Sequence, residues 1–126
     1  MLSEYMDIER KWGIVLCYDL HLLDEYKIRE NLMALGVSGN RIDEVIDTVL
    51  YEMNTGYCIS VLDKKMSLCL IGNATSEEQW WDTLSHELYH VQQAICEYYD
   101  VDSNSEDAAW TMGYLMRKAV KAIEPH

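Results

Sequence analysis

Two short alternating segments, residues 57–62 and 66–71, constrain this chain more than any other feature. In each, large apolar residues alternate with small or polar ones. A period of two is the signature of a strand with one face buried. Only three residues, Asp63-Lys64-Lys65, separate the segments, so an antiparallel hairpin is the natural connection. Pairing Leu62 with Lys65 sets Tyr57 opposite Leu70, Ile59 opposite Leu68 and Val61 opposite Met66. All six large apolar residues then share one face, and a slip of one residue would turn that face to solvent. The same register sets Cys58 opposite Cys69. Asp-Lys is not a favoured two-residue turn, which leaves room for a longer loop.

The rest of the chain supplies one more strand and four helices. Residues 12–18 are mostly apolar, with β-branched and aromatic members, and read as a strand. Asp24 is placed to cap a helix over residues 25–35, with Ile28, Leu32 and Leu35 on one face and Gly36 at its end. Asn40 is placed to cap the next helix. Its apolar residues Ile42, Val45, Ile46, Val49, Leu50 and Met53 follow 3-4 spacing until Thr55-Gly56 breaks it. Thr75 and Glu78 have the spacing of a capping box, opening a helix to about residue 99. A polar loop over residues 100–105 leads to a last helix over residues 106–123, with Pro125 beyond its end. The predicted order is β-α-α-β-β-α-α, an α+β fold in a single domain spanning residues 1–126. One proline and six glycines fit short loops, and with no phenylalanine the bulky packing falls to Tyr, Trp and Met. A hydrophobic fraction of 49% argues against disorder.

Charge narrows the partners. Twenty-two acidic residues against ten basic ones leave a formal charge of −12. Such a surface repels phosphates and anionic lipid, so neither nucleic acid nor a membrane is an expected partner. A neutral or basic peptide or protein is easier to accommodate. No signal-peptide pattern opens the chain, and no apolar run approaches the ~20 residues that span a bilayer, which points to the cytoplasm. Cys17, Cys58, Cys69 and Cys96 form no CxxC pair. In a reducing compartment they read as small buried hydrophobes.

The chemistry concentrates at His86-Glu87-Leu88-Tyr89-His90, an HExxH motif on the long helix. Residues four apart on a helix lie on one face, so His86 and His90 can offer two imidazole nitrogens to one metal ion. Glu87 lies ~100° round the helix and can reach a water on that ion. A water made acidic by zinc needs a base to take its proton as it attacks a carbonyl, and Glu87 is placed for that role. Trp81, Leu84, Leu88, Val91 and Ile95 form the apolar stripe of the helix. The two histidines project from the opposite side, toward solvent or toward a cleft.

A catalytic zinc usually keeps three protein ligands and an open position. Candidate carboxylates downstream are Glu97, Asp100, Asp102, Glu106 and Asp107. Glu97 lies ~10 Å along the same helix from His90, too far on a straight helix. Asp100 and Asp102 fall in the loop, where spacing sets no geometry. On the last helix, Ala109, Met112, Gly113, Met116, Val120 and Ile123 form an apparent apolar stripe. Glu106 falls at its edge and Asp107 falls away from it. A carboxylate on the core side needs a partner, and a metal ion is one. Glu106 is therefore the expected third ligand, although a carboxylate there also complements the helix N-terminus.

His86-Glu87-Leu88-Tyr89-His90 followed by Glu106-Asp107-Ala108-Ala109-Trp110 resembles the gluzincin pattern of HExxH and then ExxA on a following helix. The small size is similar to that of the minigluzincins. The resemblance covers residues 57 to about 120. It implies a zincin-like fold, in which a short antiparallel sheet packs on the HExxH helix and a following ligand helix. It implies zinc on His86, His90 and Glu106, with Glu87 as general base. It also implies a sheet edge that aligns an extended peptide, for which residues 66–71 are the matching segment.

The family pattern usually adds a Tyr or His that stabilises the oxyanion, and none can be placed here. Tyr114 projects away from Glu106. Arg117 projects on the Glu106 side, and Tyr89 toward the metal side of its own helix. His21 and His126 read as ordinary surface residues. The expected function is a zinc metallopeptidase acting through Glu87. The alternative is a zinc-binding but catalytically silent interaction or regulatory module, and a vestigial motif on an acidic scaffold is a third reading.

Overall fold

In the computed structural model, residues 1–7 and 11–123 are described. Pro125 and His126 lie outside the described residues. The two alternating segments form the expected hairpin, β3 (Gly56–Val61) and β4 (Met66–Ile71). Tyr57 faces Leu70, Cys58 faces Cys69, Ile59 faces Leu68 and Val61 faces Met66. The connection is the longer loop. A single 3-10 turn runs Leu62–Lys64, and Lys65 takes a left-handed conformation with φ 51° before β4 begins.

Two further strands complete the sheet, β1 (Leu2–Asp7) and β2 (Gly13–Tyr18). β1 was not expected from its sequence. Only Met6 in it is buried, so its alternation carries little hydrophobic signal. The strand order is β1-β2-β4-β3. β1 and β2 are antiparallel, β2 and β4 parallel, β4 and β3 antiparallel. The sheet is therefore mixed rather than antiparallel throughout. β4, expected to form a free edge, is interior, and the open edge beside the hairpin is β3.

Helices cover both faces, which gives an α+β domain in three layers. α1 (Glu25–Ala34) and α2 (Gly39–Tyr51) cover one face. There Ile28, Leu32, Ile42, Val45, Ile46 and Val49 pack on Cys17, Ile59, Leu68 and Leu70. Gly36 ends α1 with φ 84°, a conformation that glycine adopts without strain. α2 begins two residues earlier than expected, with Ser38 rather than Asn40 at its N-cap.

α3 (Glu77–Tyr99) and α4 (Glu106–Ile123) cover the other face. Leu84, Leu88, Val91 and Ile95 of α3 pack on Trp12, Ile14, Leu16, Cys69 and Ile71. Ser76 caps α3 by accepting from the Gln79 N–H at 3.2 Å, one position beyond the expected Thr75. Asp100 closes α3 in a left-handed conformation, φ 55°. Trp12 is fully buried, and its indole N–H donates to Ser67 Oγ at 2.9 Å. Ser67 in turn lies 2.6 Å from Ser60 Oγ, so one polar chain links Trp12, just before β2, to β4 and β3. No helix among the described residues is long and apolar enough to cross a membrane.

The buried residues of α4 are Ala108, Leu115 and Ala119, while Ala109, Gly113 and Val120 are exposed. The buried face is thus turned roughly 90° from the stripe read off the sequence, at ~100° per residue. Small alanines make the contact, although Met and Val dominate the hydrophobic pattern of the helix.

Candidate metal centre

The side-chain pattern of β3 explains how the site forms. Its large residues Tyr57, Ile59 and Val61 alternate with Gly56, Cys58 and Ser60. The small set faces α3, so the motif helix comes close to the strand. The closest approach is at Gly56. A β-carbon built there would lie 2.8 Å from Thr83 Cγ2 and 3.0 Å from both Cγ and Oε2 of Glu87. Glycine at this position leaves the space in which the Glu87 side chain lies.

Glu87 is therefore buried, with 5% of its surface exposed, whereas His86 and His90 are exposed. Burial raises the proton affinity of the Glu87 carboxyl above its ordinary value, and neighbouring His86 partly offsets this. The imidazoles converge: Nε2 of His86 and Nε2 of His90 are 3.2 Å apart, with ring centroids at 4.9 Å. Two nitrogens bound tetrahedrally to one zinc at ~2.05 Å would stand about 3.3 Å apart. The observed spacing fits a shared ion. Among the described residues, one group of three potential ligand side chains stands out, His86, Glu87 and His90, with all ligand atoms within 4.8 Å of one another. This cluster can hold a metal ion. It opens into a cavity of about 450 Å³ whose walls include Gly56, Cys58 and Ser60 of β3, Arg41 of α2 and Glu97 of α3.

Glu106 is not part of this group. It lies exposed on the first turn of α4. Two rotations account for this. The buried face of α4 centres on Ala108, Leu115 and Ala119, which leaves Glu106 roughly 160° away from it. α4 also packs on the wrong flank of α3. Gln92 Nε2 donates to the Ala108 carbonyl at 3.2 Å and so marks the α4-facing side. That flank lies roughly 160° round α3 from His90 and roughly 120° from His86. The strand β3, not α4, borders the histidines.

The other carboxylates weighed as ligands, Asp100, Asp102 and Asp107, are likewise exposed and outside the group. Arg117 does not reach toward Glu106; its guanidinium lies 5.1 Å from the Tyr114 ring centroid. Tyr89 is exposed, its ring 6.4 Å from that of His90. His21 is exposed at the turn before α1, and His126 lies outside the described residues. Gly56, Cys58 and Arg41 at the site were not singled out for it by sequence. They lie some thirty residues or more from the motif in the chain, and no local pattern announces that they line the same cavity.

Comparison of the chain with family models, with curated proteins and with solved structures returns no match.

Proposed function

We propose that this chain is a zinc-dependent metallopeptidase that hydrolyses peptide bonds at the His86–Glu87–His90 cluster. The observation that carries the reading is the approach of the two Nε2 atoms to 3.2 Å beside a buried carboxylate. Imidazole pairs suit zinc, and a carboxylate buried against a strand is more stable with a cation nearby. Bound there by His86 and His90, Zn²⁺ would polarise a substrate carbonyl and acidify water.

Glu87 is the general base. Its carboxylate takes the proton of the attacking water and returns it to the leaving amine. Burial moves its proton affinity toward neutral pH, where a base of this kind works best. β3 is the free edge at the cavity, and its unpaired main-chain groups can align an extended peptide by strand addition. The likeness of residues 86–90 to the gluzincin motif supports the same reading. The Glu106 half of that pattern does not add to it, because Glu106 lies outside the cluster.

One observation favours a second reading, a zinc-binding module without turnover. The cluster offers two imidazoles and one carboxylate. If Glu87 ligates the ion, no base remains; if Glu87 is the base, the ion keeps two protein ligands. Zinc stoichiometry and hydrolysis of a peptide library, measured on wild type, Glu87→Gln and Glu106→Ala, separate the readings. A peptidase gives hydrolysis that chelation abolishes, and a Glu87→Gln variant that binds zinc but is inactive. Glu106→Ala should bind zinc as wild type does. A zinc-loaded wild type that cleaves nothing, with weakened binding in Glu87→Gln, would sink the peptidase and support the silent module.

A further inference from the structure

The α3-facing side of the hairpin holds a second arrangement with its own chemistry. Cys58 of β3 and Cys69 of β4 are direct cross-strand partners, and their Sγ atoms are 3.8 Å apart. Both are free thiols. Directly opposed residues of an antiparallel pair have Cα atoms ~4.5 Å or ~5.5 Å apart, according to their place in the hydrogen-bond ladder. Either spacing lies within the ~4.4–6.8 Å that a disulfide bridges. Closing the bond needs the sulfurs to come together by side-chain rotation, with the register of the strands unchanged.

The two thiols differ in access. Cys58 is half-buried on the edge strand and forms part of the wall of the cavity beside His86, Glu87 and His90. Cys69 is fully buried on the interior strand. Its interaction with Cys58, and then burial, push its pKa well up. Cys58 is the member that a small reagent entering the cavity can meet.

We propose that Cys58 and Cys69 form a redox-active dithiol in the wall of the metal cavity, oxidised to an intramolecular disulfide by low-molecular-weight disulfides. The Cys58 thiolate attacks one sulfur of the reagent RSSR, forming a mixed disulfide and releasing one RS⁻, which takes up a proton. The Cys69 sulfur then attacks the Cys58 sulfur, and its proton passes to the departing RS⁻. The mixed disulfide breaks, the Cys58–Cys69 bond forms, and the second thiol leaves. Two electrons pass from the cysteine pair to the reagent, and one RSSR becomes two RSH. The product ties the edge strand covalently to β4, whereas the reduced pair is held by the strand ladder alone. The proposal rests on sheet geometry and does not require a metal.

Oxidised glutathione is the probe, applied to the full chain in the presence of a chelator and followed by intact mass and peptide mapping. Wild type should lose two of its four thiols, yield a cross-linked peptide containing Cys58 and Cys69, and melt at a higher temperature than the reduced form. Cys69→Ala should stop at the mixed disulfide, with glutathione on Cys58. Cys58→Ala should leave Cys69 unmodified. Four intact thiols in wild type after prolonged exposure, a bond to Cys17 or Cys96, or glutathione on Cys69 in Cys58→Ala would overturn the proposal. The wild-type map decides the matter even where a variant folds poorly.

Discussion

The two faces of the sheet are built differently. The face covered by α1 and α2 is a closed apolar layer: Ile28, Leu32, Ile42, Val45, Ile46 and Val49 meet Ile59, Leu68 and Leu70. No buried polar or charged side chain belongs to these two helices. The face under α3 mixes a comparable apolar core with Thr83, Glu87, Gln92 and Ser67 buried among it. On that side β3 offers only Gly56, Cys58 and Ser60. The α1–α2 face is arranged for stability. The α3 face gives up apolar contact along the edge strand, and in the space left it places a carboxylate beside two imidazoles. Burying a carboxylate costs stability unless it is paired, so this is where a site rather than a core is expected.

The contrast can be broken by substitution. The largest effect is expected from His86→Ala combined with His90→Ala. Metal affinity should fall by at least ~100-fold while the metal-free fold keeps its stability, because both side chains are exposed. Metal titration with circular dichroism checks both halves. Glu87→Gln should keep metal and lower hydrolysis by ~10²–10⁴-fold, the usual contribution of a general base. Its metal-free form should melt slightly higher than wild type. The sign follows from burial: the folded state raises the Glu87 pKa, so the ionised carboxylate opposes folding, and a neutral amide removes that cost.

On the opposite face, Ile46→Ala should lower unfolding free energy by about 2–5 kcal/mol in urea titrations and leave metal stoichiometry per folded molecule unchanged. A variant there that alters the metal site would show that the two faces are not separable. Gly56→Ala tests the close approach itself. Its β-carbon would crowd Thr83 and Glu87, so a loss of about 1–3 kcal/mol is expected, with hydrolysis reduced more than metal affinity. Gly113→Ala is the matched control at the small end. It sits in the interior of α4 with nothing within 4 Å of its built β-carbon, and a gain of ~0.5–1 kcal/mol is expected.

How much of this was legible depends on the range of the interaction. The hairpin register was, because alternation in residues 57–62 and 66–71 admits one pairing that buries all the large residues together. The boundaries of α4 were as well. Its orientation was not, since Ala108 and Ala119 bury at a contact that Met112 and Val120 outweigh in any hydrophobicity count. That difference of about a quarter turn moves Glu106 from the edge of the expected apolar stripe to the exposed side of α4. β1 was invisible because an edge strand with one buried side chain has almost no pattern. The interior place of β4 was not legible, because nothing local reveals that β2 pairs with it.

By itself, then, the sequence determined the i,i+4 pair His86 and His90 with Glu87 between them, since helix periodicity alone brings two imidazoles to one face. It also determined which hairpin side chains share a side. Tertiary structure decided what lies across from that motif: the edge strand β3 with its small residues, rather than α4 and Glu106. The physical reason is that a helix pattern specifies a face, whereas the partner of that face is chosen by packing between segments far apart in the chain.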